Sequence, residues 1–192
     1  TTMTGGIYNG GTEQGITTIK EGVTLIIGDE STMGSASDSA IFMQNNVVVE
    51  QNAYWDINVY LANTNFKVGT VTAQEDAQIY INGSGDLIWN TKGSGEYHYN
   101  GDNINIIGDS LEHDTMWIGD NEKGNTVVRE TGTTEVNSIQ GKKATFINKG
   151  NLLLNLTDPN DYNLKILTNN TETDKGTFNV NVNDSTIQGY NT

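Results

Sequence analysis

Trp55-Asp56-Ile57-Asn58-Val59-Tyr60-Leu61 and Thr177-Phe178-Asn179-Val180-Asn181-Val182-Asn183 decide the fold class of this chain. Apolar and polar side chains alternate through both stretches. A pleated backbone sends alternate residues to opposite faces, so each stretch predicts a strand with one buried face. Shorter apolar sets of the same kind recur from end to end: Val23, Leu25 and Ile27; Val47 and Val49; Ile79 and Ile81; Ile104 and Ile106; Leu152, Leu154 and Leu156. Between them lie Gly28-Asp29, Gly83-Ser84-Gly85-Asp86, Gly101-Asp102-Asn103, Gly108-Asp109 and Gly119-Asp120-Asn121. Such residues supply positive φ or bond their own backbone, so they predict turns. Almost nothing between the turns repeats at a helical period. The class is all-β, with many short strands and negligible helix.

Composition agrees. A length of 192 residues suffices for one ordinary domain with a real core. Only 34% of residues are hydrophobic, and Gly, Asn and Thr make up roughly 40% of the chain. A disordered chain of that polarity would not keep recurring apolar runs. The single proline argues against a proline-rich linker. Net charge is −14 with a pI near 4.2, and Arg129 is the one arginine. Nucleic-acid binding needs a basic surface that releases counterions from phosphates, so that class is excluded, and anionic membranes are disfavoured for the same reason. There is no cysteine, hence no disulfide framework and no thiolate zinc site. No apolar stretch approaches a membrane span, so no membrane insertion is expected. Thr1-Thr2-Met3-Thr4-Gly5-Gly6 looks like the inside of a repeat array. The expectation is one domain over residues 1–192, cut from a larger surface protein.

Two architectures fit such strands. A sandwich favours longer strands at regular spacing, joined by hairpins. Strands of about three to five residues at uneven intervals suit a parallel β-solenoid, whose coils stack at roughly 4.8 Å and let loops of variable length leave the corners. Leu25-Ile26-Ile27-Gly28-Asp29, Asn105-Ile106-Ile107-Gly108-Asp109 and Met116-Trp117-Ile118-Gly119-Asp120 share an apolar-apolar-Gly-Asp corner without a strict period. Stacked asparagines and threonines would form side-chain ladders along such coils.

In texture the chain resembles the right-handed, pectate-lyase-like β-helix repeats of large bacterial surface adhesins. The stretches that carry the resemblance are Gly22-Val23-Thr24-Leu25-Ile26-Ile27-Gly28-Asp29, Lys143-Ala144-Thr145-Phe146-Ile147-Asn148-Lys149-Gly150-Asn151-Leu152-Leu153-Leu154-Asn155-Leu156 and Gly176-Thr177-Phe178-Asn179-Val180-Asn181-Val182. Strand, Asn-Lys-Gly-Asn, strand is similar to segments of Gram-positive adhesins with WxL-type wall anchors and of autotransporter passengers. The resemblance implies a secreted module on a bacterial cell surface that presents a rigid solenoid to a glycan or a host protein. The same fold class also carries polysaccharide lyases and hydrolases, and it builds structural spacers and phage fibre segments.

Catalytic chemistry finds little support. Hydrolysis of this type needs clustered aspartates, and the chain has no Asp-Asp pair. Asp158-Pro159-Asn160-Asp161 is expected to be a turn. Arg129 lies in the alternating Thr126-Val127-Val128-Arg129-Glu130, where Glu130 could pair with a neighbour and an ordinary surface ion pair, not a catalytic base, is the expectation. His98 shares a face with Glu96, opposite Tyr97 and Tyr99. His113 sits in the acidic Glu112-His113-Asp114. Both histidines are expected to be solvated and, with Arg129, to lie apart; neither has metal-ligand spacing. No cofactor is required. Calcium is the one ion that turns such as Asp120-Asn121-Glu122 and Asp158-Asn160-Asp161 could take.

Aromatic residues are the candidates for recognition, since sugar rings stack on exposed aromatic faces. Trp55, Trp89 and Trp117 join Tyr97 and Tyr99 in that group. Trp55 shares its face with Ile57, Val59 and Leu61, which makes it core. Tyr97 and Tyr99, after Gly93-Ser94-Gly95-Glu96, are the candidate ligand-binding residues, with core packing as their alternative. The expected inward column is Ile57, Val59, Ile79, Ile81, Ile104, Ile106, Leu152, Leu154, Phe178 and Val180.

Overall fold

In the computed structural model, backbone and side chains are described for residues 15–31, 33, 41–61, 66–119, 125–141 and 144–155. Strand backbone alone is described at 2–3, 6–8, 156, 165–168, 170–171, 174–175 and 177–182. Among these residues the chain is all-β, with no helix. Among the described residues no helix is long and apolar enough to cross a membrane.

Three parallel sheets carry the fold. The largest has nine strands, in the order Thr2–Met3, Thr24–Gly28, Tyr54–Asn58, Gln78–Ile81, Glu96–Tyr99, Ser110–Ile118, Thr133–Gly141, Asn151–Leu156 and Thr177–Val182. A second sheet has five strands: Gly6–Tyr8 and Ile16–Ile19 both pair with Ile41–Val49, followed by Phe66–Ala73 and Asn90–Gly93. A third stacks Gly85–Ile88, Asn103–Ile107, Thr126–Arg129, Thr145–Asn148 and Lys165–Thr168. Every pairing in these sheets is parallel; among the described residues one antiparallel pair joins Asn170–Thr171 to Asp174–Lys175. Neighbouring strands of a sheet are separated by an excursion through another sheet, as parallel pairing requires. One column of partners runs Tyr54↔Gln78↔Glu96↔Thr115↔Ser138, in steps of 24, 18, 19 and 23 residues. Uneven steps on an even ladder explain why the sequence shows no strict period.

Alternation sets the core. Ile57, Val59, Ile79, Ile81, Ile104, Ile106, Leu152 and Leu154 are all buried, as expected. Thr177–Val182 pairs with Asn151–Leu156, but the side chains of Phe178 and Val180 lie outside the described residues. Trp55 and Trp89 are buried in the same column, with Phe42 5.5 Å from Trp55 and Trp89 6.4 Å from it, centroid to centroid. Amides stack as the asparagine content predicts: Asn82 Nδ2 donates to Asn58 Oδ1 at 2.8 Å, and Asn100 Nδ2 to Asn82 Oδ1 at 3.0 Å.

Corners are tight where strands change sheet. Gly132 has φ +79°, and a Cβ there would lie 2.4 Å from the Gly108 carbonyl oxygen one rung away. Only glycine fits that conformation and that approach. The Gly-Asp corners are not equivalent: Gly28 and Gly119 close strands of the nine-stranded sheet, whereas Gly108 follows a strand of the third sheet.

The corner entering the nine-stranded sheet shrinks along the stack. Residues 20–23, 50–53 and 74–77 form turns closed by Val23 N–H to Lys20 O (2.9 Å), Ala53 N–H to Glu50 O (3.0 Å) and Ala77 N–H to Gln74 O (3.2 Å). Each has positive φ at its third residue: Gly22, Asn52 and Asp76. On the next rung only Ser94 and Gly95 separate Asn90–Gly93 from Glu96–Tyr99. Beyond that the strands run through, and the register passes from His113↔Val136 to Thr115↔Ser138 with Asp114 and Asn137 at the bend. The corner therefore steps inward after Ser94, leaving a ledge.

Candidate ligand-binding face

Residues that alternate with the core stand on the outer side of the nine-stranded sheet. Tyr54, Tyr80, His98 and Trp117 are half-buried there and form a continuous column. Tyr54 stacks on Tyr80 at 4.7 Å, Tyr80 on His98 at 4.0 Å, and His98 on Trp117 at 5.6 Å, with interplanar angles of 24°, 4° and 2°. His98 is the direct cross-strand partner of both Tyr80 and Trp117, so rung spacing itself sets the stack. Rings stacked this way cover each other's faces. The column offers ring edges and polar tips to the outside, with broad faces only at its ends.

Glu96 ties the column together. Its Oε1 accepts from Trp117 Nε1 at 2.6 Å and from His98 Nε2 at 3.0 Å, and its Oε2 accepts from Gln78 Nε2 at 2.8 Å. His98 Nε2 also lies 3.2 Å from Gln78 Oε1, so that nitrogen carries the ring proton. Burial lowers the His98 pKa, against an opposing pull from Glu96. Burial, then Asp56 and Tyr80, pushes the Tyr54 phenol up to about 12, and burial raises Tyr80 as well. Both phenols stay protonated at neutral pH and can donate. The face is already hydrogen-bonded.

Beneath the ledge lies a shallow polar groove of about 220 Å³, lined by Gly93, Ser94, Glu112, His113, Glu135, Asn137 and Asn155. Glu112 and Glu135 are direct cross-strand partners. Glu112 Oε2 accepts from Gly93 N–H at 3.3 Å, and Asn155 Nδ2 reaches Glu135 Oε1 at 3.3 Å and Asn137 Oδ1 at 3.4 Å. Asn137 Nδ2 donates to Asp114 Oδ1 at 2.9 Å.

Several expectations are corrected. Tyr97 and Tyr99 are fully buried and present no ring to a ligand. They pair with Ile79 and Ile81, whose inward position fixes theirs, and the outward residues of that strand are Glu96 and His98. Of the three tryptophans, Trp117 alone is on the outside.

His113 is buried rather than solvated. Its ring stacks on Tyr97 at 3.7 Å, its Nδ1 donates to the Glu112 carbonyl at 2.7 Å, and its Nε2 accepts from the Tyr99 hydroxyl at 2.7 Å. Burial holds its pKa at about 3, with the charge of Arg129 adding to the shift. Arg129 is buried too, where a surface ion pair was expected. Alternation places it beside Val127 on the inner face. There its guanidinium donates to the carbonyls of Gly108 (2.7 Å) and Ile106 (3.3 Å) and to Thr134 Oγ1 (3.1 Å). His113 and Arg129 are thus both interior, while His98 is outside. The surface ion pair belongs to the next residue, Glu130, with Lys149 at 2.9 Å.

Among the described residues no three acidic or histidine side chains converge as metal ligands. The turns proposed for calcium, Asp120-Asn121-Glu122 and Asp158-Asn160-Asp161, lie outside the described residues. Tyr54, Tyr80, Glu112, Glu135, Asn137 and Asn155 were not singled out from sequence. For the two tyrosines a signal existed: placing Trp55 and Ile79 inward places Tyr54 and Tyr80 outward. Comparison with protein-family models, with curated proteins and with solved structures found no match to this chain, so nothing identifies a pectate-lyase-like adhesive domain.

Proposed function

We propose that the three ladders close into a right-handed parallel β-solenoid and that this chain is a non-catalytic binding module of a bacterial cell surface, presenting the outer face of its nine-stranded sheet to a glycan or a host protein. The reading is carried by the column Tyr54–Tyr80–His98–Trp117, fastened through Glu96. Half-exposed aromatic side chains on a stacked sheet are already ordered, so binding costs little further conformational freedom. Aromatic tips flanked by amides and carboxylates are also the amphipathic surface that recognition sites favour. The charge of −14 turns such a surface toward neutral or basic partners and away from nucleic acid and anionic membranes.

Screening the intact chain against glycan and matrix-protein arrays tests this. A ligand should appear whose binding falls at least tenfold when Tyr80 and Trp117 are both replaced by alanine, with the strand-type circular dichroism retained. Equal binding by the double variant would remove the face from the reading. Turnover of an arrayed glycan would replace a binding module by an enzyme.

A further inference from the structure

We infer that the outer face of the nine-stranded sheet docks a lysine- or arginine-rich segment of another protein. The inference rests on the reading above and narrows it, from a glycan or a host protein to a basic polypeptide. What carries it is a segregation of charge between the sheets. The strands of the nine-stranded sheet contain Asp56, Glu96, Glu112, Asp114 and Glu135, and neither lysine nor arginine. Those of the second sheet contain Lys67 and Lys92 and no acid, and those of the third contain Asp86, Lys165 and the buried Arg129. An acidic excess kept only for solubility would have no reason to load one sheet and spare another.

None of these charges is neutralised where it stands. Glu96 accepts from Trp117, His98 and Gln78, Asp56 from Asn82 Nδ2 at 2.6 Å, and Asp114 from Asn137 Nδ2 at 2.9 Å. All of these donors are neutral, since burial lowers the His98 pKa. Neutral donors occupy lone pairs without removing the charge. Among the described residues no lysine or arginine forms an ion pair with any of the five. The pairs Lys20–Glu50 and Lys149–Glu130 lie off this sheet.

Spacing favours a chain of cations over a single one. The carboxylates run from the strand Tyr54–Asn58 to the strand Thr133–Gly141, four rungs on, which is roughly 19 Å for strands about 4.8 Å apart. No three acidic or histidine side chains converge among the described residues, as a bound metal ion would need. Rings stand among the charges: Asp56 is the direct cross-strand partner of Tyr80, and Glu96 precedes His98 by two residues on the same face. Lysine and arginine lay their methylene stems along apolar surface and keep the charged head at an acceptor. Ring edges interspersed with carboxylates match that residue type, and complementary charge of this kind sets the choice of partner. A neutral glycan would use the rings and leave the charges unmatched.

The test is titration of the intact chain with a synthetic peptide of alternating lysine and threonine, its glutamate–threonine counterpart, maltohexaose and a glucosamine oligomer, followed by backbone-amide NMR. The lysine peptide should shift the amides of Tyr80, His98 and Trp117, and the glutamate peptide should not. Its dissociation constant should rise at least fivefold in the near-isosteric double variant Asp56→Asn, Glu96→Gln. It should stay within twofold in Asp86→Asn, Asp102→Asn, which removes the same charge from exposed positions on and beside the third sheet. If the first variant loses its strand-type circular dichroism, the shift map of the unaltered chain decides alone. Equal weakening in both variants, or shifts scattered over all three sheets, would reduce the effect to bulk charge and overturn the inference. So would tighter binding of either oligosaccharide at the same amides, an outcome that leaves the outer-face reading standing with a glycan as its ligand. If the lysine peptide leaves the face unperturbed, the inference falls, while array binding lost on replacing Tyr80 and Trp117 would still uphold the module.

Discussion

Two aromatic columns run along the stack, one inside and one outside, and they differ in what their polar atoms meet. Inside, Trp55, Trp89, Tyr97, Tyr99 and His113 are sealed from solvent, and their packing is mutual. Outside stand Tyr54, Tyr80, His98 and Trp117, where Tyr54 beside Trp55 and His98 between Tyr97 and Tyr99 lie one residue out of phase with the inner column, and His98 and Trp117 bond Glu96 and Gln78 at the surface. A column can therefore be built for cohesion or for contact by a shift of one residue in phase. The inner column should govern stability and the outer one binding.

The hardest test of that division is Trp55→Ala. The side chain is fully buried against Phe42, Phe66 and Trp89, and truncation leaves a cavity that stacked rungs cannot collapse into. A loss of about 3–5 kcal/mol is expected, measured by denaturant unfolding. A loss below about 1 kcal/mol would mean that the inner column does not hold the stack together.

How much of this was legible follows from individual strands. Periodicity correctly placed Glu96 and His98 on one face and Tyr97 and Tyr99 on the other. Which face turns inward depends on the pairing with Ile79 and Ile81, a register that no local pattern contains. Arg129 shows the opposite failure. Alternation put it with Val127 on the inner face, but the general preference of arginine for the surface outweighed that signal. Carbonyls left available near the Ile106–Gly108 corner, which make the buried guanidinium tolerable, appear only after folding. The groove was illegible for a similar reason. It arises from a difference in turn length between rungs, and rungs can be aligned only once the parallel register is known.

An intermediate effect should separate the two histidines. Burial keeps His113 neutral with a pKa of about 3, whereas an unfolded histidine titrates near 6.5. Between those values the unfolded chain takes up a proton that the folded chain refuses. Stability is therefore complete above about pH 6.5 and falls as pH drops, by up to about 1.4 kcal/mol per pH unit. The lowered carboxyl pKa values of Asp29 and Glu50 act with the same sign but only below their ordinary values, so they lie under this window. Unfolding measured between pH 6 and pH 4.5 should lose most of its slope in His113→Gln. His98→Gln should remove a smaller part, because Glu96 partly offsets the desolvation there. Equal slopes in wild type and His113→Gln would contradict a buried neutral imidazole.

The smallest expected effect on stability is the one on which the outer column depends. Trp117 is half-buried, its ring stacks on His98, and its Nε1 donates to Glu96. Removing it strips one bond from Glu96, which keeps Gln78 and His98 and retains access to water, so no buried charge is stranded. What remains is the loss of one stacked contact and part of an apolar surface, about 1 kcal/mol or less. Trp117→Ala should thus unfold within about 1 kcal/mol of wild type while the arrayed ligand binds several-fold more weakly. The contrast with Trp55→Ala, rather than either number alone, is the informative result. If the two substitutions destabilise equally, Trp117 is a second cohesive residue wrapped on the outside of the stack. Its loss of binding would then follow from loss of fold, and the outer face would lose its claim to recognition.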